Sequence, residues 1–210
     1  YFLNHVEDTE IRPVLEHGLQ LFQTHIQKLT TIFQAEGNAI PQGFTEEDVN
    51  ETAPRLFSDN YMLIYVQQMC KLGLNAYSVA VSLSTRKDIH AYNSERLREF
   101  IEWHSMSNEV LLSKGLYVRP PSIPTQDKVS FVHSNNFLQG WFGKQRPLLS
   151  LEITNLFENT QRNALGVATL IGFSQVAESK AVASFMVRGK EIAAKHVEIF
   201  GSILREDDIP

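Results

Sequence analysis

One spacing occurs twice in the chain and constrains its fold more than any other feature. A glycine is followed seven residues later by a histidine at Gly18 and His25, and again at Gly189 and His196. At an offset of 171 residues, five further positions of the two stretches match: Phe2 with Phe173, Glu7 with Glu178, Ile11 with Val182, Ile26 with Val197 and Ile32 with Ile203. A repeat of such long period predicts parts of two copies of one structural module.

Apolar residues recur at helical spacing along five stretches of the sequence, and no stretch shows the alternation that is typical of a strand. The pattern predicts five helices, each of roughly 20 residues or more; they lie near 10–37, 58–84, 88–114, 150–176 and 180–205. Ser58 and Ser150 are suitable N-cap residues, and Gly37 and Gly115 are suitable left-handed residues just past a helix end. We therefore expect an all-α fold of long antiparallel helices, arranged as helical bundles.

Residues 120–148 form a different kind of segment. Four prolines prevent a long helix here, although the stretches QDKVSFV and NFLQGWF are each compatible with a short one. Trp141 and Phe142 stand between two glycines and are best interpreted as an apolar plug packed against the protein. This segment is expected to connect two helical regions.

Composition excludes several classes of protein. Hydrophobic residues make up 43% and charged residues 20% of the 210 residues, which are ordinary values for a globular protein. The net charge of −5 argues against a nucleic-acid partner, since such proteins usually present a basic face. No apolar run is long enough to cross a membrane, so no membrane partner is expected. Cys70 is the only cysteine, which excludes an internal disulfide and fits a cytoplasmic location.

His25 and His196 lie on the apolar faces of their predicted helices. A histidine in such a place is either a core residue satisfied by a hydrogen bond or a metal ligand inside a bundle. Di-iron bundles use the motif Glu-x-x-His, but the residues three positions before these histidines are Phe22 and Ala193. A standard di-iron site is therefore not predicted.

Four glutamates, Glu95, Glu99, Glu102 and Glu109, lie on roughly one face of the helix predicted at 88–114. They form a solvated acidic stripe or, if that face meets His25, bring Glu95 or Glu102 within reach of its imidazole. In the second case the imidazole and the carboxylate would share a hydrogen bond, or would bind iron or another divalent metal.

We also expect each histidine to have a polar partner, because an unsatisfied buried polar group costs about 1–3 kcal/mol. Gln68 and Glu102 are the predicted partners of His25, which is expected to be buried. Thr160 and Asn163 are the predicted partners of His196, which is expected to be more exposed.

Five stretches together give the chain a family resemblance: IPQGFTEEDVNETAPRLFSD, LLSKGLYVRPPSIPTQDKVSFV, FLQGWFGKQRPL, SLEITNLF and RGKEIAAKHVEIFGSILREDDIP. The chain resembles a ferritin-like bundle family of spore-forming bacteria, domain-of-unknown-function family 3231, some members of which carry a spore-coat label. The resemblance implies four-helix-bundle modules, often two in a chain, and it supplies no catalytic residues. By this resemblance, residues 1–119 are helices two to four of a first module, 120–148 the Pro-rich connector, and 149–210 helices one and two of a second. We accordingly expect a fragment that spans parts of two modules.

The resulting hypothesis is a non-catalytic, soluble helical-bundle protein without a cofactor, which acts through protein contacts in sporulation or in the spore coat. Its location would be cytoplasmic or spore-associated; its protein partner is not specified, and a homo-oligomer stays open. The alternative is a metal-binding or oxidase-like bundle with an atypical site for iron or another divalent metal. That site would use His25 with Glu95 or Glu102 in one module, and His196 in the other.

Overall fold

Helices account for all the regular structure in the computed structural model, which describes residues 1–123, 128–129, 131 and 147–209. They are α1 (Phe2–His5), α2 (Arg12–Ala35), a 3-10 helix (Glu46–Asp48), α3 (Asp59–Leu83), α4 (Lys87–Ser113), α5 (Ser150–Val176) and α6 (Lys180–Glu206). The predicted all-α fold is confirmed, and the bounds of the five long helices agree with prediction to within two residues. The predicted plug of Trp141 and Phe142 lies outside the described residues, as do the two short helices predicted around it, apart from Lys128, Val129 and Phe131.

The chain divides into two units, Tyr1–Tyr117 and Val118–Pro210. In the first unit, α4 runs antiparallel to α2. Lys114, at the end of α4, pairs with Asp8, just before α2, while Lys28, late in α2, pairs with Glu95, early in α4. The helices α2 and α3 run in the same direction. The chain segment between them, residues 36–58, therefore crosses back along the length of the unit.

Local signals in the sequence explain where these helices begin and end. The Ser58 hydroxyl accepts a hydrogen bond from the Tyr61 N–H at 3.2 Å, as predicted for an N-cap. After α4, Gly115 adopts a φ of +66° and the Leu116 N–H donates to the Leu111 carbonyl at 2.8 Å. This is a Schellman ending, which needs a residue that tolerates positive φ.

Two aromatic rings of α4 pack against glycines of the neighbouring helices. Trp103 lies on Gly18 of α2 and Phe100 lies on Gly73 of α3, so closely that a Cβ at either glycine would overlap the ring. The indole N–H of Trp103 also donates to the Val14 carbonyl at 2.8 Å. The glycine of the repeated spacing thus lets a bulky side chain approach the helix backbone.

The core of the first unit consists of buried apolar residues from α2, α3, α4 and the segments that flank them. They are Val6, Ile11, Val14, Leu15, Leu21, Phe57, Met62, Leu63, Val66, Cys70, Phe100, Trp103 and Leu111. Cys70 is fully buried, and burial raises the pKa of its thiol to about 12. The thiol is therefore a core residue and a poor nucleophile.

The second unit is an antiparallel pair of helices, α5 and α6, with a small core of Ile153, Leu204 and Ile209. Ser150 is the first residue of α5, and the N-cap residue is Leu149, so the predicted cap is wrong by one position. The carboxylate of Glu152 accepts the Leu149 N–H at 2.8 Å, which satisfies a backbone donor at the start of the helix.

The two repeated stretches share their backbone geometry at both ends. The Val6 N–H donates to the Phe2 carbonyl, and 171 residues later the Ala177 N–H donates to the Phe173 carbonyl. After α2, Gly37 has a φ of +67°, and its counterpart after α6, Asp208, has a φ of +56°. The offset found in the sequence therefore also relates the hydrogen bonds and the left-handed residues of the two stretches.

Candidate functional site

Five ionisable side chains meet where α2 faces α4, and we call them the polar cluster: His25, Lys28, Glu95, Arg96 and Glu99. They are brought together by the seating of Trp103 on Gly18, which fixes the register of the two antiparallel helices. On α2, His25 and Lys28 lie about one turn apart and share a face. The cluster is thus a direct result of helix packing in the first unit.

His25 is 4% exposed, and its Nε2 lies 2.9 Å from Oε2 of Glu99. Burial lowers the pKa of the imidazole, although the hydrogen bond to Glu99 opposes that shift. The imidazole is therefore neutral near pH 7. Since a carboxylate only accepts hydrogen bonds, Nε2 of the neutral His25 ring carries the proton, and this N–H donates a hydrogen bond to Glu99.

Arg96 is fully buried and provides the positive charge at the centre of the cluster. Its Nη2 lies 2.9 Å from Oε1 of Glu99 and 3.0 Å from Oε2 of Glu95, and its guanidinium lies 5.2 Å from the centroid of the Tyr92 ring. A buried charge is tolerated only when it is paired, and here both carboxylates come from the same helix.

The second cation of the cluster is Lys28, whose Nζ lies 2.8 and 2.7 Å from the two carboxylate oxygens of Glu95. This hydrogen bond is the main reason that the pKa of Glu95 is lowered. With His25 neutral, the two glutamates are balanced by Lys28 and Arg96. The cluster as a whole therefore carries no net charge.

An open groove of about 450 Å³ lies beside the cluster, between α2 and α4. Lys28, Tyr92 and Glu95 belong to its lining, which also includes Asp88 and Arg98. Its charged side chains are two basic residues, Lys28 and Arg98, and two acidic ones, Asp88 and Glu95. The groove consequently offers no concentrated charge for a phosphate or a cation.

The donor set does not suit a metal ion as it stands. Both oxygens of Glu95 bind Lys28, and the two oxygens of Glu99 bind Arg96 and His25. Within the described residues, no group of three or more His, Cys, Asp or Glu side chains is placed to hold a metal ion. A metal would have to displace a guanidinium or an ammonium group that already satisfies the carboxylates.

The partner of His25 is not one of the two that the sequence suggested. Glu102 is exposed, whereas Gln68 is buried and donates to Gln67 Oε1 at 3.1 Å. Glu99 takes the place expected for them, and Glu95 lies one turn from it, bound to Lys28. The signal that could have found Glu99 is its position one turn before Trp103, which places the two side chains on the same face of α4.

His196 has the polar partner that the sequence predicted. Its Nδ1 lies 3.1 Å from Oδ1 of Asn163 on α5, and its ring stacks on Phe200 with centroids 5.5 Å apart. The side chain is exposed, in agreement with expectation. Unlike His25, it has an amide rather than a carboxylate as its partner.

Among the described residues, no helix is long and apolar enough to cross a membrane. Comparison with curated proteins and with solved structures found no match. The model of one family, described as "Protein of unknown function (DUF3231)", matches residues 1–129 and 136–210. The matched residues are nearly the whole chain, and the chain therefore belongs to the DUF3231 family.

Proposed function

We propose that this chain acts through protein contacts as a non-catalytic helical bundle without a bound cofactor. The observation that carries the proposal is the neutral charge balance of the polar cluster, in which Arg96 and Lys28 bind both carboxylates. In ferritin-like proteins the metal ligands include carboxylates that project from facing helices into the bundle. Here a guanidinium occupies the position where a metal cation would otherwise balance them.

Surface properties support the same proposal. Large apolar side chains are exposed in series on α2 and on α6, among them Phe22, Ile26, Phe185 and Ile192. Contiguous apolar surface of this kind is typical of sites where a protein contacts another protein. A bundle whose buried charges are paired and whose surface carries exposed apolar side chains is suited to bind other protein surfaces.

We further infer that the bundle is ferritin-like in its connectivity. The parallel direction of α2 and α3, joined by the long crossing segment 36–58, supports this assignment. Ferritin-like bundles are characterised by one such crossover between otherwise antiparallel helices. The fold assignment concerns architecture alone and does not imply oxidase chemistry.

Metal analysis tests the absence of a cofactor. We expect purified chain, incubated with Fe²⁺, Mn²⁺ or Zn²⁺ and then desalted, to retain well under one metal ion per chain. His25→Ala and Glu99→Gln variants should retain no less. A stoichiometric metal in the unmodified chain that both variants lose would overturn the proposal.

That opposite result would favour a second candidate, a metal-binding bundle with an atypical site. The observation behind it is the 2.9 Å contact between His25 and Glu99, with Glu95 one turn away. Such a site would require Arg96 to move aside. An Arg96→Gln variant should then bind metal more tightly than the unmodified chain, because the competing cation is gone.

The association with sporulation or with the spore coat rests on the family resemblance. Its test is fractionation of sporulating cells that produce a tagged chain. We expect the tag in the spore fraction, and in coat extracts if the chain is a coat component. A tag found only in the cytoplasm of vegetative cells would remove this part of the proposal.

A further inference from the structure

The exposed apolar residues of α2 follow a regular pattern, and none of them belongs to the buried core of the first unit. We call them the α2 stripe: Leu19, Phe22, Ile26 and Leu29. Their spacings of three, four and three residues form a seam along one side of the helix. Ile26 is 66% exposed and Phe22 44%, so the seam lies open along three turns.

The repeat shows what covers the same positions in the other unit. At the offset of 171 residues, Phe22 corresponds to Ala193 and Ile26 to Val197. Ala193 is buried and lies 3.9 Å from the Cβ position of Gly166 on α5, while Val197 is half-buried. The positions that α5 covers on α6 are therefore open on α2.

We propose that the α2 stripe is the docking surface for an amphipathic helix of the same chemistry as α5, lying antiparallel to α2. The proposal deepens the proposed function, on which it rests, by naming the class of partner. It does not use the ion pairs of the polar cluster, although the ring of Phe22 also packs edge to face on His25, with centroids 5.9 Å apart.

The charges of the two surfaces agree with this occupant. Around Phe22, Ile26 and Leu29, the positions that flank the open side of the stripe are Gln23 and Thr30, which carry no charge. The remaining position of this series, Glu16, flanks Leu19 and pairs with Arg12 at 4.0 Å. The helix α5 has only Glu152, Glu158 and Arg162 as charged residues, and none after Arg162. A strongly charged helix would lose hydration against such a neutral rim without gaining ion pairs, whereas an α5-like helix would lose little.

Shape imposes a second requirement on the partner. Where α6 has the small residue Ala193, α2 has Phe22, which needs more space in the facing helix. In the second unit that facing position is Gly166. A glycine or alanine at this level is the feature that would let a partner helix accept the phenyl ring of Phe22.

The stripe is also continuous with an interface that already exists in the unit. The ring of Phe22 meets that of Trp103 edge to face, with centroids 5.7 Å apart, and Trp103 is in turn seated on Gly18. A helix on the stripe would therefore enlarge the packed surface between α2 and α4. Binding of such a helix would therefore change the surroundings of Trp103, because Phe22 contacts both.

A peptide with the sequence of residues 149–177 is the probe for this surface. The experiment uses the full chain with Trp141→Phe, which leaves Trp103 as the only tryptophan. We expect saturable binding, seen as a change in Trp103 emission and a gain in helical circular dichroism. The Ile26→Lys variant should weaken binding at least about tenfold, because a lysine in the seam must be desolvated.

Matched controls distinguish a specific effect at the α2 stripe from a general effect of added charge or of unfolding. Leu112→Lys places the same charge at a site on α4 that is 59% exposed, and it should leave peptide affinity unchanged. A peptide with Gly166→Leu should bind more weakly than the parent peptide. Unchanged thermal melting would show that Ile26→Lys remains folded.

Three outcomes would overturn the proposal. The first is no binding of the peptide, and the second is binding that Ile26→Lys leaves intact. The third is a chain that sediments as a dimer and becomes a monomer with Ile26→Lys, which would assign the stripe to a second copy of the chain. Failure here is distinct from failure of the proposed function, because metal analysis and cell fractionation test that function without the peptide.

Discussion

The helices α2 and α6 carry the same spacing of glycine and histidine but use it in different surroundings. In α2, Gly18 receives the indole of Trp103, and His25 is buried against a carboxylate. In α6, Gly189 faces the end of the Leu170 side chain, and an exposed histidine bonds to an amide. The comparison shows that a repeat preserves position along a helix, whereas the neighbouring helices decide whether that position is core or surface.

The largest expected effect on stability comes from removing Trp103, the bulky side chain that packs on Gly18 but has no aromatic equivalent at Gly189. Trp103→Ala should lower the free energy of unfolding by about 3–5 kcal/mol, because it empties a buried aromatic site. Leu170→Ala, its counterpart as the neighbour of Gly189, should cost less, since Leu170 is only half-buried. Urea denaturation followed by circular dichroism measures both; equal costs would contradict the comparison.

A methyl group at each glycine sharpens the contrast. Gly18→Ala should destabilise the chain by about 2 kcal/mol, because the new Cβ overlaps an indole that cannot move in a packed core. Gly189→Ala should stabilise it by up to about 1 kcal/mol through helix propensity, because its nearest neighbour, a methyl group of Leu170 at 3.1 Å, is the end of a half-buried side chain that can shift. Thermal melting of the two variants gives the signs, and the same sign for both would break the comparison.

The histidines should differ in the same direction. His25→Ala should cost about 1–3 kcal/mol, since it removes a buried hydrogen bond to Glu99. His196→Ala, at an exposed position, should change stability by no more than about 0.5 kcal/mol. If the two variants lost the same free energy of unfolding in chemical denaturation, the burial of His25 would contribute nothing to stability.

The pH dependence of stability tests His25 separately. Burial lowers the pKa of the folded imidazole below its ordinary value of 6.5, so the unfolded chain takes up the proton first as the pH falls. The contribution of His25 is therefore complete above pH 6.5 and is lost as the pH falls below it. Between about pH 7 and pH 5.5 the urea midpoint should fall more for the unmodified chain than for His25→Ala, and His196→Ala is the control.

The helix ends give the smallest effects. Asp208 holds a left-handed conformation that costs an L-residue about 1–2 kcal/mol, so Asp208→Gly should stabilise the chain by about 1 kcal/mol or less. Gly37→Asp should do the reverse, and no neighbour within 4 Å adds a steric cost. Identical melting temperatures for both variants and the unmodified chain would show that these endings contribute no strain.

Much of the fold was predictable because its signals are local. Apolar periodicity located the five long helices, and Ser58, Gly37 and Gly115 marked ends that the structure confirms. The parallel course of α2 and α3 was not predictable from these signals. Direction depends on how residues 36–58 cross the unit, and nothing in a single helix encodes that.

The site was harder to predict, because it depends on register between helices distant in sequence. Glu99 meets His25 only because Trp103 is seated on Gly18, and a register shifted by one turn would have presented another glutamate. The burial of Arg96 was missed for a related reason. A charged residue normally marks a solvated face, but here Glu95, Glu99 and Tyr92 offset its desolvation.

The pairing of Arg96 with two glutamates of its own helix also has a consequence for the order of folding. These three residues lie within five positions of each other, so their ion pairs need no loop closure and can form as soon as this part of α4 is helical. His25 and Lys28 are separated from their partners by 74 and 67 residues. They can join only when α2 docks, after the slower closure of a long loop. When α2 docks, the charge of the Arg96 guanidinium is therefore already balanced by carboxylates of α4. The side of the interface that α4 contributes is thus formed before the side that α2 contributes.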